Sequence, residues 1–141
     1  MKLTESALKV EKFEDMGLAP VLLNSIAKMN ITAPTPIQSE AIPTALTGID
    51  LIGVAQTGSG KTLAYALSVM TLLQKNPEAR ALILSTSRET TEQVYRVFAA
   101  LCADLPFSIS LAVAGTPLAT QVSQLKRNPR IIVATPGRMG E

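Results

Sequence analysis

The run Ala55-Gln56-Thr57-Gly58-Ser59-Gly60-Lys61-Thr62 brings small, flexible, cationic and hydroxylic groups together in one short stretch. Glycines at 58 and 60 let backbone N–H groups close around an anion with no Cβ in the way. An apolar run, Leu51-Ile52-Gly53-Val54, precedes the stretch, and a largely apolar helical pattern, Lys61 to Leu73, follows it. Strand, glycine-rich turn and helix in that order are what a phosphate-binding loop requires. The helix would point the positive end of its dipole at the same anion. Lys61 would supply a point charge for the β and γ phosphates, and Thr62 a hydroxyl for Mg²⁺. The first position is Ala55, where the general pattern has glycine. A plain glycine-rich turn with an exposed lysine is the competing explanation, and the flanking strand and helix patterns argue against it.

A second group is Pro34-Thr35-Pro36-Ile37-Gln38. Taken alone it is a rigid turn, with a structural role. The Gln38 amide offers both a donor and an acceptor, which suits the edge of an adenine ring. Other chemistries are excluded by composition. The chain has no histidine and one cysteine, Cys102. A Cys/His zinc site, a Ser–His–Asp triad, a Cys–His protease and an internal disulfide therefore all lack their residues.

These groups need a scaffold, and 141 residues suffice for one domain. Hydrophobic residues make up 47% and charged residues 17%, a globular balance. The net charge of +2 permits a nucleic-acid partner without demanding one. The N-terminal MKLTESALKVEKFEDMG lacks the apolar core of a secretory signal, and the apolar stretch Leu63 to Leu73 is too short to span a bilayer. The expectation is a cytoplasmic, reducing compartment and no membrane contact.

Residues 1–12 read as a flexible N-terminal segment. Pro20 opens a helix carrying Leu22, Leu23, Ile26 and Met29, and a second helix runs from Gln38 to Leu46, with Gly48 placed for a left-handed cap. Leu51–Val54 reads as a buried strand. Three further strands are expected at Ala81–Leu84, Ile109–Val113 and Ile131–Ala134. Helices fall between them, Glu89 to Ala103 with a core stripe of Val94, Val97, Phe98 and Leu101, and Pro117 to Lys126 with Leu118, Val122 and Leu125 on one side. Strands alternating with helices predict an α/β fold built on a parallel sheet with flanking helices.

With Phe13 ahead of it and the phosphate loop behind it, the Pro34–Gln38 segment resembles the Q motif and motif I of DEAD-box RNA helicases. The likeness continues along the chain. Ser87-Arg88-Glu89 sits where motif Ia has Thr-Arg-Glu, Ala114-Gly115 where the family has Gly-Gly, and Thr135-Pro136-Gly137-Arg138 matches motif Ib. It covers nearly all of residues 13–139, and the motifs in this order are very specific together.

The resemblance implies a RecA-like P-loop fold, with residues 13–141 as the front part of helicase domain 1. It implies ATP and Mg²⁺ as cofactors. Phe13 would stack on adenine and Gln38 would hydrogen-bond it, while Thr57, Gly58, Ser59, Gly60, Lys61 and Thr62 would hold the phosphates and the metal. Arg88, Gly115, Thr135, Gly137 and Arg138 would lie along an RNA backbone, which means binding without sequence preference. For the two arginines a solvated surface role is the plain alternative. The chain departs from the family in Thr90-Thr91 for Leu-Ala, in Ala114 for glycine, and in Asn30-Ile31 for a Gly-aromatic pair, though asparagine tolerates a left-handed backbone.

The Asp-Glu-Ala-Asp and Ser-Ala-Thr motifs of the family do not occur in the sequence, and Ile131–Ala134 runs into Thr135-Pro136 with no carboxylate. Phosphoryl transfer needs a carboxylate on the metal and a group that orients water. The expectation is a truncated first domain, an incomplete RecA-like fold with no catalytic residue of its own, that binds nucleotide without turnover. The parent would couple ATP hydrolysis to RNA unwinding. The alternatives are a catalytically silent nucleotide- or partner-binding module and an unrelated P-loop ATPase. The resemblance also implies that family strands beyond this chain lie mid-sheet, so exposed sheet edges are expected to drive self-association.

Overall fold

Two proline residues shape the start of the chain. The computed structural model describes residues 9–140, and these form two compact units that divide between Asn76 and Pro77. In the first, a 3₁₀ turn at Phe13–Asp15 leads to helix α1 (Pro20–Lys28), which begins on Pro20 and buries Leu22, Ser25 and Ile26. It stops at Asn30, whose φ of 60° is the left-handed conformation that asparagine accepts. Helix α2 (Pro36–Ala45) contains Pro43 in its interior. Pro43 has no N–H to give the carbonyl four residues back, Ser39. The Val10 N–H takes that carbonyl instead, at 3.1 Å. Of the N-terminal segment 1–12, residues 1–8 lie outside the described part, and Val10 is tied to α2.

Helix α3 (Lys61–Lys75) packs against α2 and buries Leu63, Ala66, Leu67, Met70 and Leu73. Each such apolar side chain contributes about 1.5–3 kcal/mol by leaving water. Ser68 and Thr71 sit in the same buried face because their hydroxyls donate to the carbonyls of Ala64 and Leu67, both at 2.8 Å.

The expected buried strand at Leu51–Val54 is not found. These residues join no described sheet, and Ile52 and Val54 are 64% and 76% exposed. An apolar run becomes a buried strand only when neighbours pair its backbone and cover its side chains. Here the run makes a single bridge at Ile52 and does not extend into a strand.

The second unit holds a parallel three-stranded sheet, β1 (Ala81–Leu84), β2 (Ile109–Ala112) and β3 (Ile131–Ala134), in the order β1-β3-β2. Central β3 is the most buried, and Leu82 and Leu84 on edge strand β1 are each 52% exposed. Leu84, Ala134 and Ala112 lie level in the register, so all three strands end at the same height. At the opposite end the Arg130 Nε donates to Ala79 O at 2.8 Å and the Arg80 Nε to Pro129 O at 3.1 Å. Helix α4 (Arg88–Cys102) buries Val94, Phe98 and Leu101 as its period requires. Burial pushes the Cys102 thiol up to about 11, so it is an inert core group.

Helix α5 (Leu118–Leu125) turns the other way from its apolar pattern. Leu118 and Val122 are 42% and 40% exposed, and the residue it buries is Gln121. A hydrogen bond decides the rotation: the Gln121 Nε2 donates to Val113 O at 2.8 Å. A short helix α6 (Pro136–Met139) follows β3. No helix among the described residues is long and apolar enough to cross a membrane.

Candidate functional site

In the first unit the loop before α3 is shaped by two left-handed glycines, Gly58 (φ 83°) and Gly60 (φ 87°), with Gly60 as the N-cap of α3. The first N–H groups of this helix have no intrahelical acceptor and open toward the loop. The Ser59 N–H closes a turn onto Gln56 O at 3.1 Å. The Lys61 Nζ folds back to donate to Ala55 O at 2.7 Å. The Thr62 hydroxyl hydrogen-bonds the Tyr65 phenol, while burial raises the pKa of that phenol.

Gln38 reaches into this loop from α2. It is 3% exposed. Its Nε2 donates to Gly60 O at 3.1 Å, and its Oε1 accepts from the Thr35 N–H at 2.9 Å. A Cβ on Gly60 would stand 2.5 Å from Nε2, so a side chain there would collide with the glutamine. An amide has two N–H groups and two acceptor lone pairs. With one of each used internally, one donor and one acceptor remain, the pair an adenine edge needs. Phe13 is 2% exposed and belongs to the core of this unit.

A nucleotide fits these residues. Ser59 Oγ is buried without a hydrogen-bond partner, and Thr35 Oγ1, in the capping box of α2, lies 3.1 Å from where a Cβ on Gly60 would stand. A buried hydroxyl is ordinarily satisfied, so the one on Ser59 marks a place where a polar ligand belongs. No cluster of three or more His, Cys, Asp or Glu side chains able to hold a metal occurs among the described residues.

In the second unit the level strand ends place three loops side by side. Thr86 follows β1, Ala114 follows β2 and Thr135 follows β3. A cleft of about 440 Å³ lies among them, lined by Thr86, Arg88, Ala114, Thr135, Pro136, Gly137 and Arg138. The loops after the carboxyl ends of parallel strands are where ligands of such sheets bind. Two arginines and no carboxylate line this cleft, which favours a polyanion. Arg88 opens α4 behind the N-cap Ser87, whose Oγ accepts from the Thr90 N–H at 3.2 Å. Thr90 and Thr91, which depart from the family pattern, are both used. Thr91 is fully buried and its hydroxyl donates to Ser87 O at 2.6 Å.

The Arg88 Nε donates to Glu92 Oε1 at 3.0 Å. Its guanidinium lies where a Cβ on Gly115 (φ 96°) would be. Arg138 donates from Nε to Val113 O at 3.2 Å and from Nη2 to Thr116 O. Four of the five residues read as RNA contacts thus line one cleft, and Gly115 adjoins it. Sequence reasoning missed Gln121 and Glu92. Glu92 was legible as the i+4 partner of Arg88. Nothing in the pattern marks a glutamine between apolar residues as the buried one.

One unit carries a glycine-rich loop that caps helix α3, and the other a parallel α/β sheet with a cationic cleft at its strand ends. Sequence comparison then places the chain. The DEAD/DEAH box helicase family profile matches residues 35–141, and the chain belongs to that family. It is 45% identical over 136 residues to the ATP-dependent rRNA helicase RRP3 of Candida albicans, covering 96% of this chain and 26% of the relative. It is 42% identical over 137 residues to the protein of that name from Aspergillus fumigatus, covering 96% and 29%. A crystal structure of a hypothetical ATP-dependent RNA helicase from Sulfolobus tokodaii superposes with a TM-score of 0.77 at 32% identity, covering 84% of this chain and 34% of that one. The chain spans about a quarter of the length of the curated relatives it matches.

Proposed function

We propose that this chain is the ATP- and RNA-contacting front part of an ATP-dependent RNA helicase. The observation that carries the reading is the Gln38 amide bonded to Gly60 O, with the unpartnered Ser59 hydroxyl in the same loop. Thr57 to Ser59 and the start of α3 would wrap the phosphates. Lys61 would leave Ala55 O for the β/γ oxygens, and Thr62 would meet Mg²⁺. Gln38 would use its spare donor and acceptor on adenine, and Phe13 would stack on the base only once its buried ring is uncovered. Bound ATP would supply the phosphoryl group whose hydrolysis the parent couples to unwinding. Arg88, Gly115, Thr135 and Gly137 would meet RNA phosphates without reading bases. The relatives carry the name rRNA helicase, so structured rRNA is the first substrate class to try.

Alone, this stretch would bind nucleotide without hydrolysing it. The support is that β3 runs into Thr135-Pro136 and offers the metal no carboxylate. Titration with labelled ADP and GDP tests the adenine role: ADP should bind more tightly, and Gln38→Ala should narrow the gap. Equal affinities in the unmutated chain would remove Gln38 from adenine recognition. Phosphate release above a Lys61→Ala control would sink the no-turnover reading.

We also propose self-association. Edge strand β1, with Leu82 and Leu84 half exposed, offers backbone groups on an apolar surface, a template for another chain, and the exposed Ile52 and Val54 add apolar surface. Light scattering at two concentrations decides it, and a sharp 14.9 kDa species at both would end the idea.

A further inference from the structure

We propose that Arg138 and Gln121 are positioning residues that together hold the turn 113–116 in shape for RNA, and that Arg138 is not itself a phosphate contact. The proposal rests on the RNA reading of the cleft given above. Two donors from different elements converge on one atom. The Val113 carbonyl accepts from Gln121 Nε2 on α5 at 2.8 Å and from Arg138 Nε on α6 at 3.2 Å. The same guanidinium reaches past the glycine and donates from Nη2 to Thr116 O. Arg138 thus brackets Ala114 and Gly115 by bonding the carbonyls on either side of them. The planar fork suits this work, because it presents fixed N–H groups at the spacing of two carbonyls. A lysine is a point charge on a flexible stem and has no fixed fork to hold the two carbonyls at that spacing.

The turn needs such support. Gly115 sits at φ 96°, and the Arg88 guanidinium occupies the side where a Cβ would be. The Arg88 fork can lie against Gly115 at the cleft only while the turn keeps this form. Gln121 is 3% exposed, and its Oε1 is buried without a partner. Stability alone would favour an apolar side chain there, since a half-satisfied buried amide is costly. The donor it aims at Val113 O is what the amide adds. Leu118 and Val122 stay at the surface as a result of the same rotation.

The test uses Arg138→Lys, Arg138→Gln and Gln121→Met in this chain. Two measurements are made: amide hydrogen exchange at residues 114–116, and anisotropy of a labelled oligouridylate at several salt concentrations. The expected result is faster exchange at 114–116 in all three variants. Affinity should fall about tenfold for both Arg138 variants and about three- to fivefold for Gln121→Met, with ADP affinity unchanged. The Gln121→Met salt slope should match that of the unmutated chain, because no phosphate contact is lost. A direct phosphate contact predicts something else: Arg138→Lys would keep affinity and slope as a point charge, and only Arg138→Gln would lose about one contact's worth of slope, ~0.7 for a single strand. That pattern overturns the proposal, as does unchanged exchange or unchanged RNA affinity in Gln121→Met. If the unmutated chain binds no RNA, the RNA reading itself falls, whatever the exchange shows.

Discussion

Gly60 and Gly115 hold the same post in the two units. Each has a left-handed backbone at a ligand-facing turn, and at each a Cβ would strike a side chain sent from elsewhere. The side chains differ. Gln38 is buried and bonded at both ends to backbone, Gly60 O and Thr35 N. Arg88 is half exposed and held at Nε by Glu92 on its own helix. The first arrangement is stiff and suits a ligand of one shape, where a misplaced donor forfeits a hydrogen bond. The second tolerates movement and suits a polyanion whose charges repeat along a flexible backbone. On the proposed reading, recognition of a small ligand and of a polymer would differ in how firmly the guarding side chain is fixed, and the glycine is common to both.

The contrast breaks if the two glycines respond alike. Gly60→Ala adds the left-handed cost of about 1–2 kcal/mol. It also displaces a buried amide, worth a further ~1–3 kcal/mol. We expect ADP binding to fall below detection in a titration that reads the unmutated chain, with a lower Tm. Lys61→Ala comes next, with a loss of about 1.5–3 kcal/mol in ADP affinity, the range for a hydrogen bond to a charged group. Circular dichroism should show its fold intact. Gly115→Ala pays the same conformational cost of about 1–2 kcal/mol, but the Arg88 end can swing aside. Its RNA affinity should fall several-fold while Tm falls by only a few degrees. An undiminished RNA affinity would mean that the turn does not need its left-handed form.

The smallest effect sharpens the comparison further. Glu92→Gln frees the Arg88 Nε from an ion pair worth about 0.3–0.5 kcal/mol. RNA affinity should change less than twofold, and that difference should vanish at high salt. A tenfold loss would show that Arg88 is as rigidly held as Gln38, and the distinction would fail.

Much of this was legible from residue order. Helices α1 to α4 and strands β1 to β3 follow from apolar periodicity and from proline and glycine stops, because local burial repeats at 3.6 or 2 residues. The phosphate loop was legible because its chemistry is contiguous. Leu51–Val54 misled because an apolar run signals that burial is wanted, and says nothing of which strand supplies it. Helix α5 misled because one buried hydrogen bond from Gln121 outweighed the pull of Leu118 and Val122 toward the core. The bonds of Arg138 to Val113 and Thr116 span 25 and 22 residues. No local pattern encodes a contact of that reach.

The strand order β1-β3-β2 has a consequence in time. Of these three strands the central one is synthesised after both of its neighbours. Until residues 131–134 leave the ribosome, neither Ala81–Leu84 nor Ile109–Ala112 has a hydrogen-bonding partner, because the two do not pair with each other. The second unit then has no stable half-assembled sheet and closes late, in one step, by joining segments that are distant along the chain. Such closure is slow, because the loop entropy is lost before the pairing can compensate. Nascent chains whose residues 131–134 are still inside the ribosome should therefore stay protease-sensitive from residue 77 onward, and emergence of those residues should protect them.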